Sequence, residues 1–429
     1  MKLLHFLADL ATDTELMSQY RNAPGAVLRA QGLSEQDQVL LLSGDPIRLR
    51  EAVAAAACPA AVMLEEFPRP VPPEEPEEPG AAAAFPRPVM LEEFPLPDPP
   101  EEPEEPGAFS STEMMEELRP TQPEGMAAHE AEAHQVEPLD IELDLAQDAV
   151  LAGKNAGWIM DEDPGGVWSG KGLTVVGMGM RAGLHMTVET RLAIERSARV
   201  LYLVSDPVSE ACIRRLNPAA QPLGHLYRVG RPRIEIYETI IARILDELET
   251  HGDVCVAFYG HPGVLTYPAW ESIRRARATG KRARMLPAIS TEDSLFADLG
   301  IDVGRAGLQS FEATRFLYYS YNFDPCAGLL LWQVSVLGEN EWNPPHTGVR
   351  PRLEVLSAYL EKYYGPEHEV FLYHAPEYPT SRPLVERVAL RDLPQAEFVS
   401  ISTLYVPPRG QPERNEENIR ALAEAAAGK

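Results

Sequence analysis

A 27-residue period in the middle of the chain settles what that region cannot be: VMLEEFP at 62–68 returns letter for letter at 89–95, and PPEEPEEPGA at 72–81 returns at 99–108. Solenoid repeats stack helices or strands and depend on backbone N–H groups to do so. Here proline recurs every two to four residues and removes those donors. The repeat is read as extended chain, not as a fold. Residues 55–150 hold 24 Asp and Glu against three Arg and no Lys, so about 21 of the 27 excess negative charges of the chain lie there. A stretch so charged is a solvated spacer, and it argues against nucleic acid or an anionic membrane as partner. Its odd content is apolar. Val62, Met63 and Leu64 and their repeats Val89, Met90 and Leu91 combine apolar side chains with free backbone N–H groups.

Either side of this spacer the chain looks foldable, and 429 residues leave room for two or three domains. Residues 1–57 are expected to form a small all-α domain. Leu3, Leu4, Phe6, Leu7 and Leu10 mark one apolar face, and Thr12 or Asp13, Ser34 with Asp37, and Asp45 with Pro46 supply helix starts. Residues 58–169 are the Pro/Glu-rich linker, with one helical stretch at 139–151. Residues 170–410 alternate strand and helix, so the expected fold class is α/β with two halves. Strands are expected at 173–176, 199–204, 254–258 and 284–286, then at 329–336, 370–373 and 402–406. The tail, 411–429, reads as a short charged helix. Cys58, Cys212, Cys255 and Cys326 show no CxxC spacing and read as reduced thiols. No signal peptide or membrane-spanning run is evident, so a cytoplasmic protein is expected.

Several segments bear chemistry. VVGMGMRA (175–182) is a strand followed by Gly177 and Gly179, whose missing Cβ atoms let backbone approach a ligand; it fits GxGxxA. Asp206, ending the next strand, could mimic a ribose-binding acid. A structural glycine turn explains the pattern as well as a nucleotide loop does, and a nicotinamide-dependent oxidoreductase is the weakest reading of it. GGVWSGKG (165–172) imitates a phosphate loop but has Gly172 where Ser or Thr must hold magnesium. His129, Glu130 and His134 suggest zinc, yet histidines five apart lie about 140° apart around a helix, so no metal site is expected. FYGHPGVLTYP (258–268) runs a strand into Tyr259, Gly260, His261, Pro262, Gly263 and Val264, a tight turn that can grip a polar ligand. An ordinary strand-to-helix loop is the bland alternative. In HLYRVGRPRIEIYETI (225–240), Tyr227 and Tyr237 by themselves read as core residues and Arg233 as a surface charge.

Taken in order, VVGMGM, YLVSDP, YETI, FYGHPGV and ARMLPAISTEDSLFADLGID resemble the tetrapyrrole methylases, the class III S-adenosylmethionine (SAM) enzymes. More closely they resemble the borosin peptide-backbone N-methyltransferases, whose methylase is fused to its own precursor peptide. The likeness runs from Lys171 to about Pro408, and residues 6–52 are similar to the helical precursor-binding domain of that family. Two departures stand out. In the fungal members the helical domain and core peptide follow the methylase, whereas here they precede it. The family also carries a tyrosine three residues before the position of Tyr227, and this chain has Gly224.

The resemblance implies a two-lobed SAM enzyme. SAM would lie between the lobes against Gly177, Gly179, Asp206, Tyr259 to Val264, Ser290, Thr291, Gln333, Val334, Ser402 and Thr403. It further implies that Tyr227 and Tyr237 act as base and positioning donor, in an order left open, while Arg233 favours phenolate or faces the developing imidate oxygen. The substrate would be the chain's own repeats, within one chain or across a homodimer, with a protease acting downstream. A small-molecule tetrapyrrole methylase with a regulatory head, and a non-enzymatic interaction protein that uses the repeats as ligands, are the competing classes.

Overall fold

The computed structural model describes residues 2–57, 171–343, 349–397, 399 and 401–427. Val62, Met63, Leu64, Val89, Met90 and Leu91, the helix expected at 139–151, and His129, Glu130 and His134 lie outside the described residues.

The first 57 residues form five helices: α1 (Lys2–Thr12), α2 (Thr14–Asn22), α3 (Pro24–Ala30), α4 (Glu35–Ser43) and α5 (Pro46–Ala56). Each polar start has a local cause. Asp13 accepts from the N–H groups of Glu15 and Leu16, Ser34 from Asp37, and Asp45 from Ile47 and Arg48, which satisfies donors that the first turn leaves unpaired. Of the two candidates before α2, Asp13 is used. The Thr12 hydroxyl instead donates back to the carbonyl of Ala8 at 2.7 Å.

The first lobe is a five-stranded sheet of order β3-β2-β5-β1-β6, parallel throughout, with β1 Leu173–Gly177, β2 Arg199–Leu203, β3 Gln221–Pro222, β5 Val254–Phe258 and β6 Ala283–Met285. All ten residues of β1 and β5 are buried, as expected of strands covered on both faces. Side chains alternate between those faces. Leu173, Val175, Val254, Val256 and Phe258 pack with Ile236, Ile240 and Ile244, whereas Val176, Cys255 and Ala257 pack with Ile194 and Ile213. The covering helices are α6 (Val188–Arg196), α7 (Pro207–Leu216), α8 (Arg233–His251) and α9 (Tyr267–Ala278). A further helix, α10 (Thr291–Leu299), follows β6.

A second sheet, of order β11-β10-β12-β8-β7, makes the other lobe, with β7 Leu308–Glu312, β8 Gly328–Trp332, β10 Glu369–His374, β11 Leu384–Ala389 and β12 Thr403–Val406. It is antiparallel apart from β7 against β8. Edge strands β7 and β11 were not anticipated: neither is fully buried, so neither carries the apolar run that betrays a central strand. The strand expected at 329–336 stops at Trp332, because Gln333 takes a left-handed φ of 60° and a 3-10 turn follows. A two-stranded ribbon joins the lobes, β4 (Arg231–Pro232) against β9 (Glu341–Trp342).

The head shares its core with the first lobe. One apolar cluster runs from Leu3, Phe6, Leu7 and Leu10 through Leu28, Leu41, Leu49 and Val53 to Ala182, Val208, Cys212 and Tyr378. Gly183, at φ 71°, has the Ala11 Cβ 2.6 Å from where its own would stand, so α1 lies against this backbone with no room for a side chain. Polar contacts rim the cluster. The carbonyl of Gly44 accepts from the N–H of Arg382 at 2.8 Å, and Arg215 donates to Asp9 at 2.7 Å. The guanidinium of Arg50 grips both carboxylate oxygens of Glu377.

Burial, the largest single influence, would raise the Glu377 carboxyl, but Arg50 together with the neighbouring His374 outweighs it and holds the group down at about 2, against 4.5 for an ordinary glutamate. A depressed carboxyl adds stability above its unfolded value and loses it as pH falls toward the folded value. The difference in unfolding free energy between the parent and Glu377→Gln should therefore shrink by about 3 kcal/mol between pH 4.5 and pH 2, measured by urea titration. A difference that does not change across this window would show that Glu377 is not held ionised by Arg50.

Candidate active site

Glycine turns at the carboxyl ends of β1 and β5 form the floor of the candidate site. Gly177 stands opposite Phe258 in register, and beyond them Gly179 and Gly260 exchange two backbone hydrogen bonds of 3.2 and 3.1 Å. A Cβ on Gly177 would stand 2.3 Å from the Gly260 carbonyl oxygen, 2.5 Å from the Ala288 Cβ and 2.6 Å from Pro262 Cδ. Gly179 has a φ of 71° and a Cβ there would meet that of His185 at 2.2 Å. The turn after Gly260 is braced from within. His261 Nδ1 accepts from the Gly263 N–H at 2.9 Å, and Trp270 Nε1 donates to the Gly263 carbonyl at 3.0 Å. Leu265 is held at a left-handed φ of 52°, which costs a non-glycine residue about 1–2 kcal/mol.

Ser290 and Thr291 come to the same floor. Ser290 caps α10 reciprocally with Asp293, and the Thr291 hydroxyl lies 3.4 Å from the sulfur of Met180, next to Gly179. The second lobe brings its share by strand register. Leu404 pairs with Leu331, so Thr403 and Ser402 at the start of β12 lie beside Trp332 and Gln333 at the end of β8, with Val334 one residue on. The two halves meet in one cluster of Met180, Leu295, Leu330, Tyr373 and Tyr405, on which Tyr259 and Trp332 pack.

Asp206 is positioned differently from a ribose-binding acid at a strand end. Its carboxylate accepts from the Ser209 N–H at 2.8 Å and caps α7. Burial raises its carboxyl to about 6, with the nearby charge of Glu377 adding to the rise. Next to it the Ser205 hydroxyl is buried without a hydrogen-bond partner, as is the Tyr259 hydroxyl. Sequence reading did not single out Ser205; a serine between a strand and a capping Asp looks like punctuation.

Tyr227, Arg233 and Tyr237 form one cluster. Tyr227 ends a 3-10 turn, Arg233 opens α8, and Tyr237 stands one helical turn further along the same face. The loop between them is tied down across the lobes. Gly230 N–H donates to the Trp342 carbonyl at 2.8 Å and Arg233 N–H to that of Asn340 at 3.0 Å, while the Tyr227 ring meets Trp342 edge-on at 4.9 Å. Tyr237 has its ring 6.2 Å from Tyr267, which starts α9 directly after the 260–266 turn. Trp342 and Asn340 carry no motif in the sequence, and only ribbon pairing puts them here. Burial drives both phenols upward, and Tyr237 pushes Tyr227 further; Arg233 opposes the shift in each without reversing it. Arg233 therefore acts in the direction that favours phenolate, while burial keeps both hydroxyls protonated in this state.

A metal centre is not supported. Among the described residues no three His, Cys, Asp or Glu side chains converge to hold an ion, and no helix is long and apolar enough to cross a membrane. Cys212, Cys255 and Cys326 are free thiols.

Gly177 separates sterics from backbone preference, because its φ lies outside the left-handed region. Gly177→Ala should cost about 3 kcal/mol or more in urea unfolding, the upper end of overpacking, because the added methyl meets three atoms at once. Gly230→Ala meets nothing within 4 Å and should lose only the roughly 1–2 kcal/mol of its left-handed φ of 76°. Equal losses at the two sites would refute the close-approach account.

Residues 172–375 match the model of the Tetrapyrrole (Corrin/Porphyrin) Methylases. A methyltransferase/ribosomally synthesized type I borosin cyclic peptide precursor of Coprinopsis marcescibilis is 36% identical over 258 residues, covering 58% of this chain and 66% of the relative. A methyltransferase/ribosomally synthesized cyclic peptide gymnopeptides precursor of Gymnopus fusipes is 36% identical over 262 residues, 59% of this chain and 61% of the relative. The corresponding omphalotin A precursor of Omphalotus olearius is 35% identical over 261 residues, 60% and 62% respectively. The chain thus spans less than two thirds of the length of the relatives it matches. The segment 172–375, which holds the strand-end glycine turns and much of the lobe that faces them, thus matches the tetrapyrrole (corrin/porphyrin) methylases, and the chain is similar to the borosin methyltransferase–precursor fusions.

Proposed function

We propose that this chain is a SAM-dependent N-methyltransferase of peptide backbone amides whose substrate is its own repeat segment, chiefly Val62, Met63 and Leu64 and Val89, Met90 and Leu91. The observation that carries the reading is the half-buried Tyr227–Arg233–Tyr237 cluster, clamped between the lobes and one aromatic contact away from the glycine turns. The relatives' names, each a methyltransferase joined to a ribosomally synthesized peptide precursor, agree with it, and this chain has a repeated apolar peptide to offer.

The donor fits the floor. Gly177 lets the two strand-end turns close on each other, and beside them the orphaned hydroxyls of Ser205 and Tyr259 are two buried polar groups awaiting a partner. Gly179, His261, Ser290, Thr291, Gln333, Val334, Ser402 and Thr403 would complete the contacts. When bound, SAM supplies an electrophilic methyl group on a cationic sulfur.

An amide nitrogen is a poor nucleophile, since its lone pair is delocalised into the carbonyl. Its N–H proton has to leave as the new N–C bond forms, and a tyrosine oxygen is the acceptor placed to receive it. With both phenols protonated at rest, one must first pass its own proton to solvent. Arg233 stabilises the phenolate so formed and the negative charge that collects on the amide oxygen. Dry surroundings make that one cation count for more.

Methylation should leave the chain heavier by a whole number of methyl-for-hydrogen replacements, located by fragmentation within 62–67 and 89–94. Tyr227→Phe and Tyr237→Phe should each slow the reaction by about 10²–10⁴ with SAM affinity retained. Arg233→Ala should slow it by roughly 10²–10³. An unmodified chain from SAM-replete cells, or methyl groups solely outside both repeats, would overturn the assignment.

The repeats stand about 80 Å apart if extended at roughly 3.1 Å per residue, too far for one site to hold both. Either the linker slides through one site or the two sites of a homodimer take different repeats. Mixing a Tyr227→Phe chain with an active chain lacking its repeats decides this: methyl groups on the Tyr227→Phe chain establish transfer between subunits, and their absence in a verified mixed dimer establishes transfer within one. Release of the modified peptide then needs a protease acting between repeats.

A further inference from the structure

The head is joined to the first lobe by more than apolar packing, and the polar junction lies against the donor turns. Arg50, on α5, donates through Nε to Glu377 Oε2 at 2.9 Å and through Nη2 to the other oxygen. The same Nη2 lies 2.9 Å from His374 Nε2. A guanidinium can only donate, so this ring nitrogen accepts from Arg50; it lies 3.5 Å from Glu377, farther than either Arg50 contact, and adds to the pull of Arg50 on that carboxyl. Arg50 is thus the counter-ion of a carboxylate that is 7% exposed.

Glu377 is itself tied to the candidate site. Its carbonyl accepts from the N–H of Ala182 at 2.7 Å, and Ala182 closes the GMGMRA segment that begins at Gly177. Its charge acts on Tyr259, whose hydroxyl is buried and orphaned in the 258–264 turn, and on Asp206, the buried cap beside Ser205. Two carboxylates and a phenol are therefore packed together with Arg50 the cation that acts on both Glu377 and Tyr259, and that cation comes from the helical head. Without it Glu377 would have to draw in water or a proton, and its backbone would carry Ala182 with it.

Resting on the proposed use of SAM at this floor, we propose that Arg50 is a positioning residue: the docked head completes the methyl-donor site by neutralising Glu377, so donor affinity depends on the head as well as on the lobes. The head then acts beyond peptide delivery. The chain binds donor tightly only while the head is seated.

The test is SAM affinity of the full-length chain by titration calorimetry, together with KM for SAM and kcat. Arg50→Met should weaken SAM binding at least about tenfold and raise KM similarly, with kcat at saturating SAM within roughly threefold of parent. The double variant Arg50→Met, Glu377→Gln removes the stranded charge and should recover affinity to within about threefold. Arg215→Ala, which loosens the head at its exposed rim, should stay within about twofold of parent. Arg50→Met binding within twofold of parent overturns the proposal, as does a double variant no better than the single one. Should Arg50→Met fail to fold, Arg50→Lys takes its place: it keeps the charge that neutralises Glu377 and loses the fork, so affinity within about threefold of parent is expected and a larger loss overturns the proposal. A parent chain that binds no SAM would instead strike at the use of this floor for SAM, a separate and distinguishable failure.

Discussion

The approach of two backbones at Gly177 and Gly260 is the constraint on which the site depends. Pairing of β1 with β5 brings Val176 opposite Ala257 and Gly177 opposite Phe258, and the chains continue past the sheet only because no side chain stands between them. A methyl group at Gly177 would collide with three atoms at once. That closeness pairs Gly179 with Gly260 through two backbone hydrogen bonds, and beside it Met180 and Tyr259 join the cluster that meets the second sheet. Anchoring by the sheet costs little, since β1 and β5 are buried on both faces and would be strands without any site.

The tyrosine cluster is positioned by a different device. Its first member sits on an irregular segment, its second and third on a helix, and a two-residue ribbon to the other lobe sets the distance between them. A segment this short has no stability of its own; it takes its geometry from Trp342 and Asn340 across the ribbon. The same enclosure that fixes the rings also raises both phenols.

Much of this was legible beforehand. Strand periodicity at 173–176 and 254–258, the three helix starts of the head and the α/β alternation rest on local rules, and the structure follows them. The glycines of GxGxxA and FYGHPG were visible as a pattern but not as a purpose, since a bland turn uses the same letters. Asp206 shows the limit of such reading: its place after a strand suggested a ligand contact, and the fold spends its carboxylate on a helix cap. Strands β7 and β11 were invisible because edge strands bury too little to leave a clean alternation.

By itself the sequence determined that the head is helical and that apolar strands end in glycine turns, because these follow from caps and short apolar runs along one stretch of chain. Tertiary structure alone decided that Trp342 lies on Tyr227, that Gln333 and Ser402 stand side by side, and that Arg50 pairs with Glu377 across more than three hundred residues. The reason is physical. Local chemistry acts over a few residues and is written in their order, whereas the charge of a buried carboxylate and the proton on a buried phenol are set by whatever the completed fold brings within a few ångströms.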